Sequence, residues 1–139
     1  MSRILAIDFG RKRVGLAVSD PGQIIANGLD TISTAEVWQF LEEYLGRENV
    51  SIIVVGYPRQ MNNKVSEAVQ YIDPFLKKLK SRFPGVTLDT FDERFTSKMA
   101  MAAIIEGGVK KKARRNKAMI DKVSAVIILQ SYLEFIEKK

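Results

Sequence analysis

The N-terminal part of the chain alternates short apolar runs with turn residues, a pattern typical of β-strands. The run Ile4 to Phe9, which is apolar except for Asp8, predicts a strand that is covered on both faces, and Gly10 ends it. Alternation from Val14 to Val18 predicts a second strand, and Ile24 to Ala26 predicts a short third strand. Because the intervening segments carry turn residues, we expect an antiparallel meander of three strands.

Helical and strand patterns alternate after this meander. Ser33 or Thr34 is a candidate cap for a helix that reaches about Leu45, with Gly46 as its terminator. The β-branched run 51–56 predicts a buried strand. Apolar residues then recur at helical spacing from 65 to 79, and Pro74 predicts a kink or break in that helix.

The C-terminal half continues with a strand and two helices. The segment 86–91 predicts a strand, residues 96–108 a helix that Thr96 or Ser97 caps, and 120–136 a buried helix that is apolar nearly all round. The whole order predicts one α/β domain over residues 1–139. Its mixed sheet would combine the three-strand antiparallel meander with parallel strands and carry helices on both faces.

Composition narrows the chemistry. The 139 residues include no cysteine and no histidine. Thiolate nucleophiles, disulfides and histidine-ligated zinc are therefore excluded, and any general base is a carboxylate, a lysine, a tyrosine or a metal-bound hydroxide. Oxygen-ligated Mg²⁺ or Mn²⁺ remains compatible with this composition.

The charge balance favours a polyanionic partner. Lysine and arginine total 22 against 16 acidic residues, a formal net charge of +6, and the segment 110–117 is dominated by cations. No apolar run is long enough to span a bilayer, and the N-terminal residues lack a signal-peptide pattern. We therefore expect a cytoplasmic protein.

Three carboxylates stand at the ends of predicted elements. Asp8 ends the first strand, Glu93 follows the strand at 86–91, and Asp121 lies in the first predicted turn of the last helix. If the first two strands are parallel neighbours, their carboxyl ends meet at one sheet edge. A divalent cation would convert the repulsion between these acids into attraction and could promote phosphodiester hydrolysis.

Each acid also has a simpler explanation. Asp8 could stabilise a turn, Asp121 could interact with the helix dipole, and Glu93 could pair with Arg94. Sequence reasoning leaves these alternatives open.

Four ordered segments, DFGRKRVGLAVSD, IIVVGYPRQMNN, DERFTS and DKVSAVIILQSYLE, resemble the motifs of the YqgF/RuvX family over essentially the whole chain. Members of that family are described as Holliday junction resolvases and as pre-16S rRNA nucleases. The resemblance implies a ribonuclease H-like fold and a metal-dependent endonuclease that uses Mg²⁺ or Mn²⁺. It assigns catalysis and metal binding to Asp8, Glu93 and Asp121.

The sequence departs from related motifs at several positions. Ser124 stands where RuvC-like nucleases often carry a second helix acid, so it is a further candidate ligand beside three strong ones. Tyr57, Gln60 and Lys64 differ from the usual loop motif, which indicates altered substrate contacts there.

Basic and amide side chains near these motifs are the candidate substrate-binding residues. The run 110–117 could be a phosphate-binding arm with salt-sensitive affinity, or a solvated charged loop. Arg11, Lys12 and Arg13 could flank the scissile strand or merely solubilise a hairpin. Trp38 fits packing in a core or groove better than base stacking. The complete set of candidates is Arg11, Lys12, Arg13, Arg59, Asn62, Arg94, Lys110, Lys111, Lys112, Arg114, Arg115 and Lys117.

Three functions are compatible with the sequence. The first is an endonuclease acting at the 5′ end of precursor 16S rRNA or, alternatively, on branched DNA. The second is a nucleotide phosphotransferase, which the missing Walker A motif and the short chain disfavour. The third is a non-catalytic nucleic-acid binder. Structured RNA or branched DNA is the expected partner of a monomer or weak homodimer, and a ribosomal precursor particle is a further possible partner.

Overall fold

The structure is a computed structural model, and it describes residues 2–57, 69–92 and 117–137. Five strands form one mixed sheet in the order β3-β2-β1-β4-β5. The neighbours β1, β2 and β3 pair antiparallel, whereas β4 is parallel to both β1 and β5. The strands are β1 (Arg3–Phe9), β2 (Arg13–Ser19), β3 (Ala26–Ser33), β4 (Val50–Tyr57) and β5 (Thr87–Asp92).

Three described helices cover the sheet. They are α1 (Val37–Arg47), which follows a short 3-10 turn at Thr34–Glu36, α2 (Val69–Arg82) and α3 (Lys117–Glu137). The mixed sheet and the antiparallel meander are as predicted. The helix predicted over 96–108 lies outside the described residues.

The third strand is longer and later than predicted. The sequence indicated Ile24 to Ala26, but β3 runs from Ala26 to Ser33. A register shift opposite Leu16 and Ala17 interrupts the pairing of β2 with β3. An irregularity of this kind disturbs the alternation of apolar and polar residues, so the strand leaves a weak sequence pattern.

Two helix predictions also need correction. Gly46 does not terminate α1, which continues to Arg47 and ends where the Glu48 N–H donates to the Tyr44 carbonyl at 2.8 Å. Pro74 does not break α2, which continues on both sides of it, and the predicted alternative of a kink stays a prediction. Ile72 and Phe75 on either side of this proline are buried, so tertiary packing offsets the loss of one backbone hydrogen bond.

The sheet separates two apolar layers. Alternate residues of β1 face opposite sides, so Leu5 and Ile7 pack in the layer under α1 and α2, whereas Ile4 and Ala6 pack in the layer under α3. Helices therefore cover both faces, as predicted. Among the described helices, none is long and apolar enough to cross a membrane.

A hydrogen bond connects α3 to β5, which is the last strand at one side of the described sheet. The Tyr132 hydroxyl donates to Asp89 Oδ2 on β5 at 2.9 Å, and the tyrosine is only 4% exposed. Burial, together with the hydrogen bond and the negative charge of Asp89, raises the pKa of Tyr132 to about 12. The neutral phenol is therefore the form that the folded protein stabilises.

The raised pKa of Tyr132 predicts how the stability of the folded protein changes at alkaline pH. Tyr132 has a higher pKa in the folded state than in the unfolded state, so its stabilisation is complete below pH 10.0 and is lost as the pH rises towards about 12. We expect Tyr132→Phe to lower the free energy of unfolding at neutral pH by about 1–3 kcal/mol. Urea unfolding should also show a shallower loss of stability above pH 10.0 in the variant. An unchanged alkaline slope would contradict the prediction.

Candidate active site

Asp8 is the penultimate residue of β1 and lies at the carboxyl end of the central strand. It is half-buried and has the same parity along the strand as Ile4 and Ala6, which pack against α3. Because side chains alternate along a strand, Asp8 belongs to the α3 face of the sheet. This carboxylate therefore stands at the sheet edge where open α/β folds place their sites.

Small residues line the sheet face that carries Asp8. Gly15 is the register partner of Asp8 on β2, and Ala6 pairs with Ala17 on the same face. On α3, Ala125 packs in this layer. Such residues let a helix approach the sheet closely, and Gly15 places no side chain beside Asp8.

The direction of α3 follows from its contacts. Gln23, which donates to the carbonyl of Ser2 beside the start of β1, lines one cavity with Leu133 and Ile136 of α3. The C-terminal end of α3 therefore lies at the amino end of β1. The opposite end of the helix, which carries Asp121, extends towards the carboxyl end where Asp8 lies.

The rise per residue of an α-helix gives the distance between Asp121 and the contact of α3 with β5. At 1.5 Å per residue, Asp121 lies roughly 16 Å along the helix axis from Tyr132, which is anchored on β5. The helix already includes Lys117, so Asp121 is not in its first turn, contrary to the sequence-based expectation. An interaction with the helix dipole, which is confined to the terminal turn, is therefore a weaker explanation for this acid. The side chain of Asp121 lies outside the described part of the structure.

Strand β5 leads to the third acid. Asp89 and Phe91 belong to the α3 face, since Asp89 accepts from Tyr132 and Phe91 packs in the α3 layer. Glu93 directly follows Asp92, the last residue of β5, and it lies outside the described residues. Strands β1, β4 and β5 are parallel, so β1 and β5 end at the same edge of the sheet.

The donor chemistry fits a hard divalent cation. Carboxylate oxygens are the preferred protein ligands of Mg²⁺ and Mn²⁺, and the chain has no histidine or cysteine that would select a softer metal. Among the side chains that the structure describes, which do not include those of Glu93 and Asp121, no three acidic groups form a cluster that could hold a metal ion. Of the proposed ligands, the described side chains are Asp8, which is half-buried, and Ser124, which is 5% exposed on α3.

The β1–β2 hairpin presents cations beside Asp8. Arg11 and Lys12 are exposed in the turn, and Arg13 begins β2. The Arg11 guanidinium lies 5.8 Å from the centre of the Tyr71 ring on α2, in a cation–π contact. The turn is anchored by Thr34, whose N–H donates to the Lys12 carbonyl at 3.0 Å and whose hydroxyl donates to the Gly10 carbonyl at 2.7 Å.

Gly10 is required by the close approach of backbone atoms in this hairpin. A Cβ atom at this position would lie 2.6 Å from the Arg13 carbonyl oxygen, which accepts from the Gly10 N–H at 2.9 Å. We expect Gly10→Ala to lower the free energy of unfolding by about 1–3 kcal/mol, because backbone cannot move aside as a flexible side chain would. Urea unfolding measures the loss, and Gly46→Ala, where a Cβ meets no atom within 4 Å, is the control.

The other predicted site residues lie outside the described part of the chain. These are Arg59, Asn62, Arg94, Lys110, Lys111, Lys112, Arg114 and Arg115. Lys117 begins the described part of α3, where only its backbone is described.

Two features of the elements that carry the site were missed from the sequence. One is the Asp89–Tyr132 hydrogen bond, whose residues are 43 positions apart and carry no motif. The other is an aromatic cluster in which Phe9, directly after Asp8, stacks on Phe75 with ring centres 4.0 Å apart. Trp38 joins this cluster 5.3 Å from Phe75, in agreement with its predicted packing role. The position of Phe9, on the opposite face of β1 from Asp8, could have been read from strand alternation.

The geometry at this edge can be compared with known proteins. The model of a family described as "RuvX: Holliday junction resolvase" matches residues 2–135. The chain belongs to the RuvX family. Because it belongs to this family, the chain is a nuclease, which is a hydrolase that acts on phosphodiester bonds.

Two similar proteins come from Bacteroides species. A protein of Bacteroides fragilis named "Putative pre-16S rRNA nuclease" is 55% identical over 134 residues, which cover 96% of this chain and 97% of that protein. A Bacteroides thetaiotaomicron protein of the same name is 54% identical over 134 residues, with the same coverage of both chains.

A solved structure supports the fold. Thermus thermophilus RuvC, in complex with a Holliday junction substrate, matches with a TM-score of 0.59 at 17% sequence identity and covers 100% of this chain and 98% of its own. At this identity the match shows the fold alone. The RuvX chain therefore has the ribonuclease H-like architecture that the sequence motifs predicted.

Proposed function

We propose that this RuvX protein is a metal-dependent endonuclease that acts on the 5′ end of precursor 16S rRNA. The observation that carries the proposal is the position of the half-buried Asp8 at the carboxyl end of β1. Asp8 lies on the sheet face that α3 covers, and the end of α3 that carries Asp121 extends towards the same end of β1. The names of the Bacteroides relatives favour the rRNA substrate.

Asp8, Glu93 and Asp121 would hold the cation, with Ser124 as an additional oxygen donor. Bound Mg²⁺ or Mn²⁺ supplies electrostatic stabilisation of the phosphoryl oxygens and lowers the pKa of the attacking water. The carboxylates would bind the cation in their ionised form. Arg11 and Lys12 at the hairpin, with Arg13 beside them, would position the backbone phosphates near Asp8.

The remaining basic candidates would extend this contact. Arg59 and Asn62 follow β4, and Arg94 follows Glu93. The cationic run that ends at Lys117 leads directly into α3 and would bring phosphates towards Asp121. We further propose a single cytoplasmic domain, monomeric or weakly dimeric, that meets its RNA in a ribosomal precursor particle.

A second candidate substrate is branched DNA. The family description names Holliday junction resolution, and the RuvC structure of the same fold contains such a junction. A resolvase cuts two strands symmetrically, which requires a dimer with two sites.

Cleavage assays separate the two substrates. Purified protein is incubated with Mg²⁺ or Mn²⁺ and either a precursor 16S rRNA fragment or a four-way DNA junction, and its oligomeric state is measured by sedimentation. A monomer that cuts the RNA and leaves the junction intact is expected. Symmetric cutting of the junction by a dimer would overturn the rRNA assignment, and binding without any cleavage would overturn the nuclease proposal.

A further inference from the structure

Helix α2 presents a strongly basic surface that the proposed active site does not use. Its 14 residues include four cations, Lys77, Lys78, Lys80 and Arg82, and all four are exposed. The single acid of this helix, Asp73, is half-buried and accepts a hydrogen bond from the Tyr57 hydroxyl at 2.9 Å. We call the four cations the α2 basic face.

The pairing of these cations is incomplete. Arg82 forms an ion pair with Glu42 of α1. The Nζ atom of Lys78 lies 4.6 Å from the centre of the Trp38 ring, and the guanidinium carbon of Arg82 lies 5.3 Å from the same centre. Within the described part of the chain, Lys77 and Lys80 have no acidic partner. Cations near a helix C-terminus complement its dipole, but that effect is confined to the last turn and does not extend to Lys77 and Lys78.

A continuous series of contacts connects this face to the edge of the sheet at the carboxyl end of β1, where Asp8 lies, which we call the catalytic edge. Arg11, in the hairpin beside Asp8, lies over Tyr71, and Tyr71 contacts Phe9 with ring centres 6.1 Å apart. Phe9 stacks on Phe75, and Phe75 contacts Trp38. The N-terminal end of α2 therefore lies at the catalytic edge, and its cations lie further along the helix.

We propose that the α2 basic face binds the phosphate backbone of the nucleic-acid substrate beyond the scissile region. This inference rests on the proposed nuclease function and adds a second contact surface on the other side of the sheet from α3. The helix is roughly 21 Å long at 1.5 Å per residue, a length that spans about six phosphates of one strand in a duplex. Contacts of this kind add affinity and orientation without sequence preference.

The proposal predicts that substrate length matters. Only a substrate that extends past the catalytic edge by several nucleotides reaches Lys77, Lys78 and Lys80. Removing these charges should therefore weaken the binding of a long RNA and leave the binding of a short one unchanged.

The test uses two variants that each remove three positive charges. The first is Lys77→Gln, Lys78→Gln, Lys80→Gln. The control is Arg47→Gln, Lys138→Gln, Lys139→Gln, which lowers the formal net charge of +6 by the same amount. Arg47 is exposed at the end of α1, where it lies over the Tyr44 ring.

Affinity is measured without divalent cations, so that no cleavage occurs, over a series of salt concentrations. The probes are a stem–loop RNA with about 20 flanking nucleotides and the same stem–loop with about 4, lengths chosen from the span of α2. For the long RNA we expect the α2 variant to bind about tenfold more weakly, with the slope of log affinity against log salt reduced by about 2–3. For the short RNA we expect both variants to bind within about twofold of the unsubstituted protein.

Equal losses in the two variants, equal losses on the two RNAs, or no RNA binding by the unsubstituted protein would each overturn the inference. Urea unfolding of both variants verifies that they fold. If the length-dependent loss is observed but the protein with Mg²⁺ or Mn²⁺ cleaves neither RNA nor junction, the nuclease proposal fails and the binding surface stands.

Discussion

Replacing Asp8 by asparagine is expected to lower the rate of phosphodiester cleavage by about a thousandfold, which corresponds to about 4 kcal/mol of transition-state stabilisation. Asparagine has nearly the same volume, so the strand and its apolar neighbours remain packed. The negative charge that would hold the cation is lost. Cleavage rates with saturating substrate over a series of Mg²⁺ and Mn²⁺ concentrations measure the effect.

Asp30→Asn is the matched control for this substitution. Asp30 is an exposed carboxylate on β3, the strand at the opposite edge of the sheet from β5, and its Oδ1 accepts from the Thr31 N–H at 2.8 Å. We expect this variant to cleave at the unsubstituted rate. If Asp8→Asn also cleaves at that rate with an unchanged metal requirement, Asp8 does not belong to the active site.

Replacing Ile128 by alanine is expected to lower the free energy of unfolding by about 2–5 kcal/mol. Ile128 is 0% exposed and lies on α3, in the layer that Ile4 and Val54 form with the helix. Neighbouring side chains cannot fill the space left by the removed atoms unless the helix moves, so the variant retains a cavity. Urea unfolding monitored by circular dichroism gives the change in stability.

The exposed Gln130 on the same helix provides the comparison. Gln130→Ala should change the free energy of unfolding by less than about 0.5 kcal/mol. Equal unfolding midpoints for the two variants would contradict the burial of α3 against the sheet. Because α3 also carries Asp121, we expect Ile128→Ala to lower the cleavage rate in addition.

Strong local patterns made most of the fold predictable. Residues 4–7 of β1 and 53–56 of β4 are buried, and the short length of these apolar runs, their β-branched residues and the turn residues that flank them favour strands over helices. The edge strand β3 lacks that signal, since Asn27, Gly28 and Asp30 are exposed and a register shift interrupts its pairing.

The errors in the helices have a common cause. Gly46 and Pro74 are intrinsically unfavourable in helix interiors, and local propensity alone would end the helix at either residue. In the structure, Leu41 and Tyr44 hold α1 on the core, while Phe75 and Leu79 hold α2. Tertiary packing of these apolar faces outweighs propensity, and a local pattern does not reveal packing partners.

The position of Asp8 could be predicted because a carboxylate that ends a buried strand is chemically conspicuous. The convergence of Asp8 with Glu93 and Asp121 was expected from their positions at the ends of predicted elements and from the family motifs, and it stays a prediction. The α2 basic face was not recognised from sequence, since Lys77 and Lys78 form an ordinary polar pattern on an amphipathic helix. The contacts of Arg11 with Tyr71 and the aromatic contacts from Phe9 to Trp38 connect that pattern to the catalytic edge.

The odd-numbered residues of β1 face the layer under α1 and α2, and the even-numbered residues face α3. Leu5, Ile7 and Phe9 belong to the aromatic side, and Ala6 and Asp8 to the side of the proposed ion. Deleting one residue between Arg3 and Asp8 would exchange these assignments and direct the carboxylate among the rings of Phe75 and Trp38. Only insertions or deletions of two residues within this strand would keep Asp8 and the apolar residues on their present faces.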